Sequence, residues 1–191
     1  RLRIVPDPTF FYPIDPSPAA EYARAHGLDT CGKPIVFLHV RREDAFALEL
    51  AARLRAAGYL IASIRPFKRA DLVMNDLSPF EYAGIFRYMH ATITHRFHDS
   101  IFSIKNLIPV LTYLPDPSHA TASGDSKYSS LMKDFGLSET NLLTRPADIT
   151  AEGILRQLPL ALEAFRQRRE AIAARLATKK TTLENFMQET L

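Results

Sequence analysis

The feature that most constrains this chain is an alternation. Short apolar runs rich in β-branched residues are each followed by a segment whose apolar residues recur at helical spacing. Ile35–Val40 (IVFLHV) reads as a buried strand, and Asp44–Ala57 as a helix ended by Gly58. Tyr59–Ile64 reads as a second strand and Asp71–Met74 as a short third. Ser78–Met89 opens on Ser-Pro-Phe-Glu, a capping box with proline at the first helical position. Then come a strand over Ala91–Thr94, a helix over Phe97–Asn106 and a strand over Ile108–Tyr113. A helix over Lys127–Phe135, stopped at Gly136, and a short strand over Asn141–Thr144 complete the pattern. Residues 150–191 read as helical, with a break near Pro159. This alternation with short connections predicts an α/β fold, a Rossmann-like parallel sheet with helices on both faces.

Around that core the sequence divides into three. Residues 1–34 are rich in proline and aromatics and read as a linker between domains, with one short helix over 19–26. Residues 35–150 carry the alternation, and residues 151–191 form a C-terminal helical segment. The start, RLRIVPDPTF, reads like a strand end and its loop, so the chain is expected to be a fragment whose other half precedes Arg1. The 115–125 stretch (PDPSHATASGD) reads as a loop without core residues.

Composition narrows the function. At 191 residues the chain can bury one substantial core. A formal net charge of +3 tolerates an anionic substrate and does not argue for nucleic acid. The basic stretch RQRREAIAARLATKK reads as a solvated helix face, since no aromatic platform accompanies it. The single cysteine, Cys31, precludes an internal disulfide and suits a reducing, cytoplasmic setting. No apolar run approaches the roughly 20 residues that span a bilayer.

In open α/β sheets ligands bind beyond the carboxyl ends of the strands. The residues just after the strands are Arg41, Arg42 and Asp44; Arg65, Lys68 and Arg69; His95, Arg96 and His98; Tyr113 and Asp116; and Arg145. An edge so supplied with guanidinium groups suits a phosphate or a carboxylate, which they grip in bidentate fashion. Arg96 and His98 flank Phe97 where an apolar strand passes into an apolar helix. A histidine at a helix N-terminus can act as a base, or donate a proton beside a bound anion. The spacing of His90, His95 and His98 fits no standard metal site, so no metal is expected. The chain contains no GxGxxG, GxxxxGK[ST] or GxSxG motif.

The run from Asp71 to Gly136 resembles the C-terminal half of the polysaccharide pyruvyl transferase family. The resemblance rests on Ser78-Pro79-Phe80-Glu81, Arg96-Phe97-His98, the strand Ile108–Tyr113, Lys127 and Gly136-Leu137. The opening Pro-Asp-Pro and IVFLHVRRED add to it, so that it covers about residues 1–165. Two features depart from the family pattern: Asp99 stands where the family often has glycine, and an insertion over 114–126 separates Tyr113 from Lys127. The resemblance implies a two-domain fold like that of the GT-B glycosyltransferases, with residues 35–150 as the donor-binding domain. It implies transfer of the enolpyruvyl group of phosphoenolpyruvate to a saccharide acceptor, free or lipid-linked, to form a pyruvate ketal in polysaccharide biosynthesis. No cofactor is implied beyond the donor. A missing N-terminal domain or another chain would complete the site, at the inner face of the membrane if the acceptor is lipid-linked. In the family the Arg-x-His step contacts the donor, which makes Arg96 and His98 the expected catalytic pair. Arg41, Arg65, His95 and Lys127 are expected to bind substrate. Glu81 is expected either to contact a ligand or to complete the capping box.

Two other readings stay open on the sequence. A nucleotide-sugar glycosyltransferase would use the same architecture, with Glu81 holding a ribose. A non-catalytic sugar- or partner-binding domain would use the 115–125 loop and the basic C-terminal helix.

Overall fold

The computed structural model of the chain describes residues 6–114 and 126–190. The 115–125 loop therefore lies outside the described residues. Six strands form one parallel sheet: β1 (Ile35–His39), β2 (Leu60–Ser63), β3 (Leu72–Val73), β4 (Ala91–Thr94), β5 (Val110–Tyr113) and β6 (Leu142–Leu143). Their order across the sheet is β3-β2-β1-β4-β5-β6, the Rossmann-like order in which the chain winds outward from β1 and then returns to its other side. Seven α-helices are described: α1 (Pro16–Ala25), α2 (Ala45–Ala56), α3 (Pro79–Ile85), α4 (Phe97–Lys105), α5 (Lys127–Asp134), α6 (Ala151–Gln167) and α7 (Arg169–Thr190). Among the described residues, no helix is long and apolar enough to cross a membrane.

The period of two along a strand sorts the sheet into two faces. Val36, Leu38, Ala91, Ile93, Leu111 and Tyr113 pack with Leu50, Leu54, Ile154 and Leu158 of α2 and α6. On the other face Ile35 and Phe37 join Tyr22 of α1 and Ile85 of α3, while Val110 joins Ile101 and Ile104 of α4. Fully buried threonines of β4 and β5 meet a polar stripe on α4. Ser103 Oγ donates to Thr92 Oγ1 at 2.8 Å, and Thr112 and Ser100 hydroxyls lie 2.8 Å apart. Each hydroxyl satisfied in this way avoids the 1–3 kcal/mol or so that an orphaned buried polar group costs.

Three boundaries differ from the sequence expectation. Residues 6–34 pack into the domain rather than link away from it: Tyr22, Ala23 and Leu28 join its core, and Lys105 Nζ donates to the carbonyls of Thr9 and Tyr12 at 2.5 Å each. α6 likewise belongs to the core, through Ala151, Ile154, Leu158 and Ala161. The helix over 151–167 also continues through Pro159 and ends at Arg168 instead. Pro159 is exposed, so the carbonyl that loses its helical donor there can turn to water. Thr150 caps the helix start, and apolar residues on both sides of Pro159, among them Ile154, Leu158 and Ala161, are buried in the core.

Candidate functional site

Strand order reverses between β1 and β4, and the crevice beyond their carboxyl ends is where such sheets bind ligands. The register sets His39 beside Thr94 at the last rung of that pair. β2 ends nearby and delivers Arg65, the turn after β4 delivers Arg96, and α5 opens with Lys127. Together with His98, Tyr82, Phe97 and Tyr128 they line a cleft of about 430 Å³. Among the described residues, Arg65, Arg96 and Lys127 form no ion pair with a carboxylate. Lys127 Nζ sits 4.7 Å from the Phe97 ring centroid, which positions the cation over an aromatic face.

α4 begins at the floor of this cleft. Arg96 is its N-cap residue in extended geometry, and no side chain caps the helix. Arg96 N–H donates to Thr94 Oγ1 at 2.9 Å, which turns the chain from strand into helix. His98 and Arg96 are exposed, and Phe97 between them is half-buried, as alternation through the turn predicts. The first turn of α4 thus presents its positive dipole end to a cleft already lined with cations.

Behind the cations lies a buried polar cluster. Asp99, 3% exposed, accepts from Tyr82 Oη at 2.5 Å, from Thr94 Oγ1 at 2.7 Å and from His39 Nδ1 at 2.7 Å. A carboxylate accepts, so the His39 proton sits on Nδ1 and the ring is held in one tautomer and one orientation. Burial and the Asp99 charge push the Tyr82 phenol far above its ordinary value, so Tyr82 stays a donor across the working pH range. His39 itself is 5% exposed, and its Nε2 is buried with no hydrogen-bond partner among the described residues.

The expected site residues divide by place. Arg65, Arg96, His98 and Lys127 come together in the cleft. Arg41 is exposed and does not line it. His95 turns away: its Nδ1 donates to the His39 carbonyl at 3.0 Å, Tyr128 Oη donates to its own carbonyl at 2.9 Å, and burial holds its pKa below the usual histidine range. Glu81 closes the capping box, its Oε2 accepting from Ser78 N–H at 2.6 Å, and it points at the helix end rather than a ligand. Farther along the edge, Arg42 pairs with Asp44 and Arg145 with Asp148.

No family model matches the chain, and no curated protein or solved structure matches it.

Two other hollows are larger, at about 560 and 610 Å³. In the first, Asp134 is already paired with Arg175 and Lys179; the second lies between the end of α5 and α6, away from the strand ends. Among the described residues, no three His, Cys, Asp or Glu side chains gather as a metal site would require.

His39, Asp99 and Tyr82 were absent from the sequence-based site. A signal for them exists. His39 follows Ile35 and Phe37 on one face of β1, a polar residue at the ligand end of an otherwise apolar face. Asp99 falls on the same side of α4 as Ser103, the side that meets the threonines of β4.

Proposed function

We propose that the cleft beyond β1 and β4 binds phosphoenolpyruvate and that the chain serves pyruvyl transfer to a saccharide. The observation that carries this reading is the charge of the cleft. Arg65, Arg96 and Lys127 line it without an ion pair to any described carboxylate, and Asp99, the one carboxylate among its described lining residues, is already committed to three donors. Phosphoenolpyruvate bears a phosphate and a carboxylate, and two guanidinium groups with an ammonium match that pair of anions. A volume of about 430 Å³ is ample for so small a donor and leaves room for part of a sugar.

In the proposed reaction His98 gives a proton to the methylene carbon, which makes C2 electrophilic. A sugar hydroxyl adds to C2 and its proton returns to His98. The C2–O bond to phosphate then breaks, the electron pair leaving with the phosphate, and a second hydroxyl of the sugar closes the ketal. The second hydroxyl's proton balances the one that departs on the phosphate. An imidazole suits both directions of transfer because its ordinary pKa lies near neutrality. The acceptor, free or lipid-linked, would rest on a further domain or a second chain.

The nucleotide-sugar reading requires an acid to hold a ribose, and Glu81 is engaged in its capping box. The test is to incubate the protein with phosphoenolpyruvate and a panel of saccharides, following phosphate release and the ketal methyl signal by NMR. Turnover lost in Arg96→Ala and His98→Ala is expected. Saturable UDP or GDP binding without any effect of phosphoenolpyruvate would transfer the site to a glycosyltransferase. Turnover indifferent to both substitutions would place the chemistry elsewhere.

A further inference from the structure

The cleft contains one group that the reading above does not use. His39 Nε2 is buried among described residues and lacks any partner, in a ring whose other nitrogen is fixed by Asp99 at 2.7 Å. A buried nitrogen left unpaired is costly, and native structures seldom carry such a group without use. The fold also invests in its orientation. Tyr82 from α3 and Thr94 from β4 both donate to the carboxylate that holds it, at 2.5 and 2.7 Å.

We propose that His39 exchanges a proton with the bound phosphoryl group: Nε2 becomes protonated when a phosphate enters the cleft and hydrogen-bonds one of its oxygens. With Nδ1–H committed to Asp99, a lone pair on Nε2 would repel an anion, so binding and protonation go together. The surroundings favour the arrangement. Asp99 neutralises the imidazolium that forms. His95, its ring centroid 5.4 Å away, presents its Nδ1 to the His39 carbonyl, and Tyr113 Oη donates to the same carbonyl at 3.4 Å. Arg65 and Arg96 oppose a second positive charge until the phosphate neutralises them. Tyr82, Thr94 and Asp99 are positioning residues here, since they act through the His39 ring.

Resting on the pyruvyl-transfer reading, His39 supplies the proton that departs with phosphate. As the C2–O bond breaks and its electron pair moves to the phosphate oxygen, the Nε2 proton follows. The neutral ring then accepts the proton of the second sugar hydroxyl as that oxygen bonds C2. The two histidines therefore divide the work: His98 serves the methylene carbon and the first hydroxyl, and His39 the leaving group and the second.

The test is ¹⁵N NMR of the imidazole nitrogens in the histidine-labelled chain, titrated at neutral pH with inorganic phosphate and, separately, with phosphoenolpyruvate. The chain has six histidines, and His39→Gln assigns the signals. The test also stands without that variant: His26 and His95 hold Nδ1 protonated as well, each donating it to a carbonyl, so His26→Gln and His95→Gln identify by elimination the Nδ1-protonated ring of His39. Its Nε2 should be unprotonated in the free protein and move to the protonated position as phosphate saturates. An unmoved His39 Nε2, whether phosphate binds elsewhere, binds at Arg96 or does not bind, overturns the inference. If phosphate protonates Nε2 but phosphoenolpyruvate yields no binding or turnover, the pyruvyl reading falls and the role of His39 stands.

Discussion

Replacing Asp99 with alanine would remove the acceptor of three donors at once, and the structure allows the cost to be worked out. The hydrogen bonds measure 2.5, 2.7 and 2.7 Å, and the carboxylate is 3% exposed, so water does not replace it. Hydrogen bonds to a charged group contribute about 1.5 kcal/mol each at the low end, or roughly 4–5 kcal/mol for three. Against that, the carboxylate no longer has to be desolvated, and the Tyr82 and Thr94 hydroxyls can rotate toward other acceptors. His39 Nδ1 has no such freedom. A net loss of about 3 kcal/mol is expected, which for a domain of this size lowers Tm by roughly 6–12 °C. Asp99→Asn should cost about 1 kcal/mol, because the amide oxygen can keep both His39 and Thr94 while the Tyr82 hydroxyl reverses to accept from the amide. Urea unfolding of the three proteins, followed by circular dichroism, measures the series. An alanine variant within about 0.5 kcal/mol of wild type would refute the idea that Asp99 organises this cluster. An asparagine variant as unstable as alanine would show that charge, rather than hydrogen-bond geometry, is what the cluster needs.

Three other outcomes follow from the packing. Gly84→Ala should destabilise by about 1–3 kcal/mol in chemical denaturation, since a Cβ at that position would lie 2.7 Å from Ala19 Cβ and force α1 from α3. Pro159→Ala should raise stability by about 1 kcal/mol, read as a higher Tm, by restoring a helical hydrogen bond on the exposed side of α6. At Asp134, burial presses the pKa up, but hydrogen bonds from Lys179 and Arg175 outweigh it and hold the carboxyl below its ordinary value. A folded-state pKa lowered in this way contributes stability above the unfolded value of about 3.9, lost as pH falls through the folded one. The wild type should therefore exceed Asp134→Asn by about 1 kcal/mol at neutral pH, and the gap should close only in the acid range below about pH 4, as tested by urea melts across pH.

Much of the fold was legible because periodicity is a local property. The strand over Ala91–Thr94 and the capping box at Ser78 depend on neighbours within a few residues, and the structure has them where the spacing puts them. Pro159 misled because a proline breaks a helix only when packing does not hold the two halves together, and packing is not local. The helix over Pro16–Ala25 looked like part of a linker because the partner that gives it a home, α3 with Gly84, lies some sixty residues on. The site divides along the same line. Arg96 and His98 were visible as titratable residues crowded at one strand end. His39 was not, since it looks like one more member of an apolar strand until Asp99, sixty residues later, arrives beside it. His95 was the converse, close to the site in sequence but turned away by its bond to the His39 carbonyl.

The central claim is that the cation-lined cleft at the β1–β4 switch point receives phosphoenolpyruvate. Calorimetric titration of phosphoenolpyruvate into the wild-type chain, Arg96→Ala and Arg65→Ala tests it most directly. Saturable one-to-one binding is expected in the wild type, weakened by added salt and reduced about tenfold or more in either variant, as the loss of one charge-assisted contact would do. Binding of equal strength in all three proteins, or none in the wild type beside saturable binding of UDP, would contradict the account.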